Sequence, residues 1–369
     1  MDYFFSNFTQ SNYTLLFKIV LASYIILGAL ILRSKRENSQ SYLRQDRNLL
    51  LSFVFFMIFF AGTRNIRIGT DTINYYNFYF LKGINIQDPV AFFGYFQTDL
   101  LFEVLMFITF PFKSFTLFLL VLAVVLNIGL YFFVRRFSDY GKDGSSLILF
   151  LTFASAFSFL QLEVNIIRNG LSITFILLAM DCLLKEKLKP AIFLFVIAYF
   201  FHGTSLIPIS AILLSRWLKN IEIKYFIVLF VLAVGLSFVG FGFHSIPFLQ
   251  NVNSEDFKRL VFAGETTYRI GFRLDFVLYN AFFLFLFVKF SNLKNAKDLF
   301  LIKYFVITSV IFFFNFNIPF SDRIGLYSWV AIPLLLFNTI KNSYKEKSLY
   351  LSSLGALLYF VINHIILFP

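Results

Sequence analysis

The chain has 369 residues, of which 59% are hydrophobic and 14% are charged, and its mean hydropathy is +0.78. A soluble globular protein does not carry so much apolar surface, so we exclude that class and predict an all-α, polytopic integral membrane protein. The net charge of +12 does not indicate nucleic-acid binding, because the Lys and Arg residues lie mainly in short loops between apolar stretches.

Apolar stretches long enough to cross a membrane as helices recur along the chain. They lie near residues 13–32, 48–62, 115–134, 146–160, 163–182, 225–240, 275–290, 299–316, 324–340 and 349–368. The first has no basic leader and no small-residue cleavage site, so we predict an uncleaved first helix. Residues 100–112 are apolar but short, and residues 190–215 form either one long helix or two short helices broken at Phe201–Thr204.

The positions of the Lys and Arg residues predict the topology. Basic clusters occur at 33–47, 135–142, 185–189, 216–224, 289–303 and 341–347. If all six face the cytoplasm, every segment between them crosses the membrane an even number of times. This makes 100–112 a non-spanning helix on the outer side and favours a hairpin broken at His202. Both chain ends then lie outside, and the count is about 12 crossings.

The same topology gathers polar residues at the outer face. We predict a single membrane domain over residues 1–369, whose periplasmic loops at about 63–114 and 241–274 carry short helices. The polar residues at or near this face are Arg64, Arg67, Asp71, Arg168, His202, Arg269, Arg273, Asp322 and Arg323. Arginines placed against the positive-inside bias need a reason, and binding of an anionic head group is the simplest one.

The segment 64–71 combines charge with glycine directly after an apolar run. We interpret Arg64 and Arg67 as lying one helical turn apart, a spacing that suits a diphosphate because it accepts the forked donors of two guanidinium groups. The alternative is an arginine that reaches lipid phosphates, followed by an ordinary turn. Tyr75 and Tyr76, with Tyr79 nearby, would offer rings and hydroxyls to sugars, although tyrosine belts are also common at membrane interfaces.

Arg168 and His202 each stand at the outer end of an apolar helix. Arg168 is interpreted as an anion-binding arginine, with an ion pair to Glu163 as the alternative. His202 lies at the break of the predicted hairpin, where a histidine can carry a proton or donate a hydrogen bond. The alternative is a structural histidine whose hydrogen bonds are satisfied locally.

Three further positions extend this set. Asp322 or Ser321 can cap the helix that follows, but Arg323 at a helix start opposes the helix dipole. Arg269 and Arg273 lie four residues apart on one face, near Glu265 and Asp275, and are either mobile loop contacts or ordinary ion pairs. Glu103 within an apolar run is costly unless it is hydrated or paired, so we place it in the lining of an outer cavity.

Several kinds of site are missing from the sequence. There is no Ser-His-Asp spacing, no glycine-rich nucleotide loop and no paired-aspartate metal motif. Cys182 is the only cysteine, and no Cys/His spacing suits a metal. We therefore expect no metal and no cofactor, and a donor that is bound to the membrane instead of a nucleotide sugar.

Five motifs in order resemble the EpsG/Wzy family of bacterial O-antigen and exopolysaccharide polymerases, over about residues 60–340. They are Arg64…Gly69-Thr-Asp71…Tyr75-Tyr76, Glu103 in an apolar piece, Ile167-Arg168-Asn-Gly170-Leu-Ser, Phe201-His202-Gly-Thr-Ser205 and Asp322-Arg323-Ile324. Each motif is weak alone, and the order and spacing together make the resemblance fairly specific. The family often has Gln where Asn169 stands here.

The resemblance implies a membrane fold similar to that of lipid-donor glycosyltransferases. It also implies transfer of a growing glycan from a polyprenyl-diphosphate carrier to the non-reducing end of another lipid-linked repeat unit, at the periplasmic face of the bacterial inner membrane. The partners implied are this lipid-linked oligosaccharide, membrane lipids, and chain-length regulator and flippase proteins, with no nucleic acid.

The resemblance also implies roles for the residues singled out above. Asp71 or His202 would accept the proton of the acceptor hydroxyl, with Arg168 at the reacting centre. The diphosphate would be bound by Arg64, Arg67, Arg168, Arg323, Arg269 and Arg273, and the sugars by Tyr75, Tyr76, Glu103 and Asp322. Arginines of this kind stabilise the charge that a leaving diphosphate gains in the transition state.

Two other classes remain open from the sequence. A flippase or exporter of lipid-linked oligosaccharide would also use outer arginines, but inverted repeats and polar residues through the midplane would be expected. A membrane acyltransferase of surface sugars would need a histidine-centred site reached by a cytoplasmic acyl donor, which fits a lone His202 poorly.

Overall fold

The computed structural model describes residues 8–33, 39–86, 88–96, 99–246, 270–343 and 348–367. Within these ranges all regular secondary structure is helical. Six helical stretches are long and apolar enough to span a membrane: Gln10–Arg33, Gln40–Gly62, Phe115–Phe137, Ile167–Leu184, Asp322–Asn342 and Leu349–Leu367. Three shorter apolar helices accompany them. The chain is therefore an all-α membrane protein, as predicted, while the count of about 12 crossings stays a prediction.

The α-helices are numbered here in chain order. They are α1 (Gln10–Arg33), α2 (Gln40–Gly62), α3 (Thr70–Asn74), α4 (Leu81–Gly83), α5 (Pro89–Phe96), α6 (Leu100–Thr109), α7 (Phe115–Phe137), α8 (Ser146–Ala154), α9 (Phe159–Val164), α10 (Ile167–Leu184), α11 (Leu188–Phe201), α12 (Leu206–Trp217), α13 (Ile223–Phe238), α14 (Leu274–Phe290), α15 (Ala296–Phe313), α16 (Asp322–Trp329), α17 (Ala331–Ser343) and α18 (Ser348–Val361). A π-helical segment, Tyr75–Phe80, follows α3, and another, Ile362–Leu367, follows α18.

The helices form two compact units, Met1–Leu206 with Glu346–Pro369, and Ile207–Lys345. In the first unit, α10 is the most enclosed long helix and packs against α7, α9 and α11. Helix α2 approaches α7 closely at Gly62, where an added Cβ would lie 2.6 Å from Leu120 Cδ2. The prediction of a single membrane domain over residues 1–369 stays a prediction.

Serine caps fix the starts of three helices in the first unit. Ser39 Oγ accepts from Tyr42 N (3.1 Å) at the start of α2. Ser114 Oγ accepts from Leu117 N (3.2 Å) at the start of α7, and Ser145 Oγ accepts from Ile148 N (3.1 Å) at the start of α8. Such caps satisfy backbone donors that have no partner within the helix. The starts of these helices are thereby set by local sequence.

Buried polar side chains connect the helices of the second unit. Asn280 on α14 donates to Ser309 Oγ (3.0 Å) on α15 and to Ser328 Oγ (3.3 Å) on α16, and its oxygen accepts from Trp329 Nε1 (3.0 Å). All four side chains are buried, so these hydrogen bonds replace the ones that the same groups would otherwise form with water. This network fixes three helices against one another.

Two topological predictions can be compared with the structure. Helix α11 ends at Phe201, a 3₁₀ turn covers Gly203–Ser205, and α12 begins at Leu206, so the predicted break at His202 is confirmed. Leu100–Phe112 is a short apolar helix, and its placement as a non-spanning piece stays a prediction. The loop at about 63–114 carries the short helices α3 to α6, whereas most of the 241–274 loop lies outside the described residues.

Candidate functional site

Contacts within the first unit show which residues share one end of its helices. At one end, Arg135 lies 3.5 Å from Asp46 and Arg136 lies 2.8 Å from Asp181, which brings the starts of α2 and α8 to the ends of α7 and α10. At the other end, the N–H of Gly69 donates to Gln10 Oε1 (3.0 Å). Five residues predicted to share an outer face lie at this second end, opposite the described residues of the basic clusters at 33–47, 135–142 and 185–189. They are Arg64, Arg67, Asp71, Arg168 and His202.

Arg64 is buried and binds the protein itself. Its Nη1 donates to the carbonyl of Ala61, and its Nη2 donates to Thr72 Oγ1 (3.2 Å) and to the carbonyl of Val164 (3.3 Å). Only 1% of the residue is exposed. Burial lowers the pKa of Arg64 to about 10, so the guanidinium stays charged at neutral pH. Arg64 therefore joins the end of α2 to the loop after it and to the turn before α10.

The prediction that Arg64 and Arg67 lie one helical turn apart is wrong. Helix α2 ends at Gly62, and the residues up to Gly69 form turns, so no helix relates the two arginines. Arg67 is exposed, and its side chain forms no ion pair with any residue that the structure describes. The two arginines have different environments, and only Arg67 has its guanidinium open to solvent.

The loop that carries these arginines is attached to the turn before α10. Thr72 Oγ1 donates to the carbonyl of Val164 (2.7 Å). Asn165 Oδ1 accepts from Thr70 Oγ1 (3.0 Å) and from the backbone N–H of Asp71 (2.8 Å). The Asp71 side chain is half-buried, and its role as general base stays a prediction.

Gly69 is required by this attachment. Its φ is +86°, which disfavours any residue with a side chain, and an added Cβ would lie 2.3 Å from the carbonyl oxygen of Val164. We predict that Gly69→Ala destabilises the protein by roughly 1–3 kcal/mol. The measurement is thermal unfolding in detergent, with Gly94→Ala as control, because no heavy atom lies within 4 Å of a Cβ at Gly94. Equal melting temperatures for both variants would show that the loop is not fixed in this way.

Three ionisable side chains meet at this same end of the unit, and we name them the Asp99 cluster. Arg168 Nη1 donates to Asp99 Oδ2 at 2.6 Å. The Nδ1 atom of His202 lies 3.1 Å from Oδ2 and 3.3 Å from Oδ1 of the same carboxylate. Arg168 comes from the first turn of α10, His202 follows the last residue of α11, and Asp99 precedes α6, so three segments build the cluster.

Asp99 lies at the start of α6, where an aspartate side chain ordinarily caps the helix. It is the N-cap residue of α6, but its carboxylate makes no capping hydrogen bond there and is directed to Arg168 and His202 instead. Its φ of 29° lies in the left-handed region. Burial alone would raise the pKa of Asp99, but the hydrogen bonds and charges of His202 and Arg168 outweigh it and hold the pKa below its ordinary value. The carboxylate is therefore ionised at neutral pH.

An ionised Asp99 sets the proton position on His202. A carboxylate can only accept, so the Nδ1 atom of neutral His202 carries the proton and its Nε2 atom is left as an acceptor. The ring is partly exposed, and Nε2 forms no hydrogen bond with the described residues. In addition, Thr204 Oγ1 donates to Asn169 Oδ1 (3.3 Å), which joins the histidine turn to α10. The arrangement presents a basic nitrogen beside a guanidinium group.

Aromatic rings support the arginine of the cluster. The Arg168 guanidinium carbon lies 5.6 Å from the ring centre of Tyr75 and 6.0 Å from that of Phe102. Tyr75 is buried, and its ring packs on Phe102 at 5.1 Å. The ring of Tyr76 packs edge-on against Phe115 at 5.1 Å. Both tyrosine rings are thus engaged by the protein, and their predicted contact with sugars stays a prediction.

The two glutamates have buried positions. Glu103 lies one turn after Asp99 on α6 and is 2% exposed, and its assignment to sugar binding stays a prediction. Glu163, the alternative partner for Arg168, accepts instead from Asn127 Nδ2 (3.1 Å). The ion-pair partner of Arg168 is therefore Asp99, which the sequence interpretation did not consider.

The second unit holds the remaining predicted residues. Arg273 forms a two-point ion pair with Asp275 (3.0 and 2.6 Å), which is the ordinary ion pair considered from the sequence. The Arg323 guanidinium lies 4.8 Å from the ring centre of Phe320. Ser321 is the N-cap of α16 but makes no side-chain capping bond. Asp322 follows it in the first turn, and Arg269 lies outside the described residues.

Asp99 is the residue that the sequence analysis missed. Before an apolar helix, an aspartate is most simply interpreted as a helix cap, and this interpretation hides any other role. A usable signal was present. The 63–114 loop contains aspartates and is predicted at the same face as the Arg168 and His202 motifs, each of which needs a counter-charge.

Within the described residues, no group of three or more His, Cys, Asp or Glu could hold a metal ion.

Comparison with known protein families gives a match that covers most of the chain. A family model described as the EpsG family matches residues 47–369. No curated protein and no solved structure matches significantly. The matched range includes every residue of the Asp99 cluster and the whole of the 64–72 loop.

Proposed function

Since the chain belongs to the EpsG family, we propose that it is a polysaccharide polymerase. It transfers a glycan from a polyprenyl-diphosphate carrier to the non-reducing end of another lipid-linked repeat unit, at the periplasmic face of the bacterial inner membrane. The observation that carries this proposal is the Asp99 cluster, at the end of the helices opposite the basic loops. The positive-inside rule assigns those basic loops to the cytoplasm.

The reaction moves one bond and one proton. The acceptor hydroxyl oxygen attacks the anomeric carbon of the donor glycan, and the bond from that carbon to the diphosphate oxygen breaks. The electron pair of the broken bond leaves with the polyprenyl diphosphate. The proton of the hydroxyl passes to His202 Nε2, which Asp99 holds in the accepting tautomer. Asp99 also stabilises the imidazolium that forms.

The diphosphate needs positive charge as it leaves. Arg67 is exposed and unpaired among the described residues, and we assign it to the diphosphate. Arg168 binds Asp99 through Nη1, and its remaining N–H groups extend the positive charge toward the reacting centre. Arg64 fixes the loop that carries Arg67, as a positioning residue. Diphosphate contacts from Arg323, Arg273 and Arg269 remain part of the proposal.

The sugar contacts are proposed on the same principle. Tyr75 lies beside Arg168, and we assign it to sugar recognition next to the reacting centre. We assign Tyr76, Glu103 and Asp322 to sugar recognition as well. Carboxylates suit this task because sugar hydroxyls donate strong hydrogen bonds to ionised acceptors.

We predict that the purified protein elongates a polyprenyl-diphosphate-linked repeat unit without any nucleotide sugar. Products are resolved by length on a gel, and one polyprenyl diphosphate is released for each bond formed. The same oligosaccharide on a polyprenyl monophosphate is the matched control, and we expect its elongation to be at least tenfold slower because the weaker leaving group carries less charge for the arginines to stabilise.

Unchanged substrate with a monodisperse, folded protein would contradict the polymerase proposal. The same lipid would then be tested for movement between membrane leaflets, which is the property of a flippase. A ladder that requires a nucleotide sugar would contradict the lipid donor.

A further inference from the structure

A groove runs between the first and last long helices of the first unit, α1 and α18. It has a volume of about 200 Å³, and its walls are almost entirely apolar, with Ile25, Ile26, Leu30, Leu354 and Leu357 among them. The groove follows α1 from Ile25 to its last residue, Arg33, which is a length of about 12 Å along the helix axis. One leaflet of a bilayer contributes about 15 Å of hydrocarbon. The groove therefore covers most of the depth of one leaflet.

A cation and a phenol stand at the end of this groove. Arg33 is exposed, and its guanidinium carbon lies 5.9 Å from the ring centre of Tyr350, the third residue of α18. Among the described residues, Arg33 forms no ion pair, and the Tyr350 hydroxyl forms no hydrogen bond. Both groups suit a phosphate, since one supplies charge and the other a hydrogen-bond donor.

Two arginines at this end of the unit are neutralised by the protein, unlike the exposed Arg33 and Arg47. Arg135 is paired with Asp46, and Arg136 is paired with Asp181. Within the described part of the chain, Arg33 has no such carboxylate, although it closes an apolar groove. Charge complementarity therefore indicates an anionic ligand at Arg33, and the apolar walls indicate that the ligand carries a hydrocarbon chain.

We propose that the α1–α18 groove binds an anionic phospholipid of the inner leaflet. One acyl chain lies between the two helices, and the phosphate lies against Arg33 and Tyr350. A cation near the membrane surface gains attraction from anionic lipids of the cytoplasmic leaflet. This site is at the opposite end of the helices from the Asp99 cluster, and the proposal does not depend on the polymerase activity.

The test is lipid binding to the full-length protein in detergent, followed by native mass spectrometry. Phosphatidylglycerol and phosphatidylcholine with the same acyl chains are the two main probes, because they differ in net charge. A polyprenyl phosphate is the third probe. We expect Arg33→Gln to weaken phosphatidylglycerol binding about fivefold, equivalent to ~1 kcal/mol for one surface cation. Phosphatidylcholine binding should weaken less, because its ammonium group compensates the charge of the same phosphate. Arg47→Gln is the matched control, because Arg47 is exposed and unpaired within the described part of the chain.

A second pair of variants tests the groove itself. Leu354 lines the groove and is 38% exposed, so Leu354→Trp should fill the groove and weaken binding of both lipids at least threefold. Leu15→Trp, at an exposed position near the other end of α1, should have no effect. Thermal unfolding in lipid-free detergent verifies that each variant is folded.

Three results would overturn the proposal. Equal weakening of phosphatidylglycerol binding by Arg33→Gln and Arg47→Gln would mean that the lipid responds to positive charge in general, without a specific site at Arg33. An unchanged affinity of Leu354→Trp would place the lipid elsewhere. Retention of a polyprenyl phosphate in preference to phosphatidylglycerol would make the occupant a carrier lipid. None of these results bears on chain elongation, so this proposal and the polymerase proposal fail separately.

Discussion

Replacing Asp99 with Asn is expected to reduce chain elongation by roughly 10²–10³-fold. The substitution preserves the size of the side chain and its N-cap position, but it removes the charge that His202 and Arg168 share. An amide NH₂ group facing His202 would also favour the tautomer with its proton on Nε2, and that tautomer cannot accept a proton from the acceptor hydroxyl. The loss should appear in kcat, while binding of the lipid-linked substrate changes little.

The matched control is Asp88→Asn in the same loop. Asp88 accepts from the backbone N–H of Val90 (3.0 Å) at the start of α5, so the substitution changes the same charge without touching the Asp99 cluster. Elongation by this variant should remain within about twofold of wild type, since surface changes away from a site have small effects. Wild-type kcat for Asp99→Asn would show that the carboxylate does not orient His202, and the cluster would then be only a structural ion pair.

The sequence predicted the helical framework because long-range packing is not needed to define it. Hydropathy alone places the six longest apolar helices, and the polar turn at His202 is enough to place the break between α11 and α12. The predicted span at 146–160 is wrong, because the chain breaks there into the short helices α8 (Ser146–Ala154) and α9 (Phe159–Val164). Charge in the loops also predicted that Arg64, Arg168 and His202 share one end of the helices. In the first unit this is confirmed, since the paired arginines Arg135 and Arg136 lie at the other end.

The side-chain partners were not predictable in the same way. Arg168 and Asp99 are 69 residues apart, and His202 and Asp99 are 103 apart, so their contact depends on how α6, α10 and α11 pack. The nearby Glu163 was the expected partner of Arg168 because it is close in sequence. The turn at Asn165–Ile166 separates α9 from α10, and Glu163 is directed to Asn127 on α7 instead.

Burial distinguishes Arg64 from Arg67, although the sequence analysis predicted the same role for both. Arg64 and Arg67 both follow an apolar helix, and nothing in the residue types predicts which one is enclosed. The difference arises because Gly62 ends α2 and Arg64 then lies against the carbonyls of Ala61 and Val164. A buried arginine with protein partners positions the loop, whereas the exposed Arg67 has its donors available to a ligand.

The largest loss besides that of Asp99 is expected for Arg168→Ala, at roughly 10²–10³-fold in elongation. The guanidinium serves two groups, since it holds Asp99 ionised and adds positive charge beside the leaving diphosphate. Arg168→Lys should recover part of the rate, because it restores the charge but not the forked donors that bind Asp99 and an anion together. Arg47→Ala, at the basic end of the same unit, is the control and should elongate normally.

The pH dependence of the residual activity separates the two roles of Arg168. Burial raises the pKa of Asp99, and the opposing effects of His202 and Arg168 bring it below its ordinary value. Loss of Arg168 removes one lowering effect, so the pKa of Asp99 rises. Elongation by Arg168→Ala should therefore decline at a higher pH than in wild type as the medium is acidified from about pH 8 to about pH 4, because the coupled Asp99–His202 pair takes up a proton more readily without the guanidinium charge. Groups that titrate alike in both proteins cancel in this comparison. If the rate of Arg168→Ala is reduced but declines in acid at the same pH as in wild type, Arg168 acts on the diphosphate alone. A normal rate would mean that Arg168 acts on neither Asp99 nor the diphosphate.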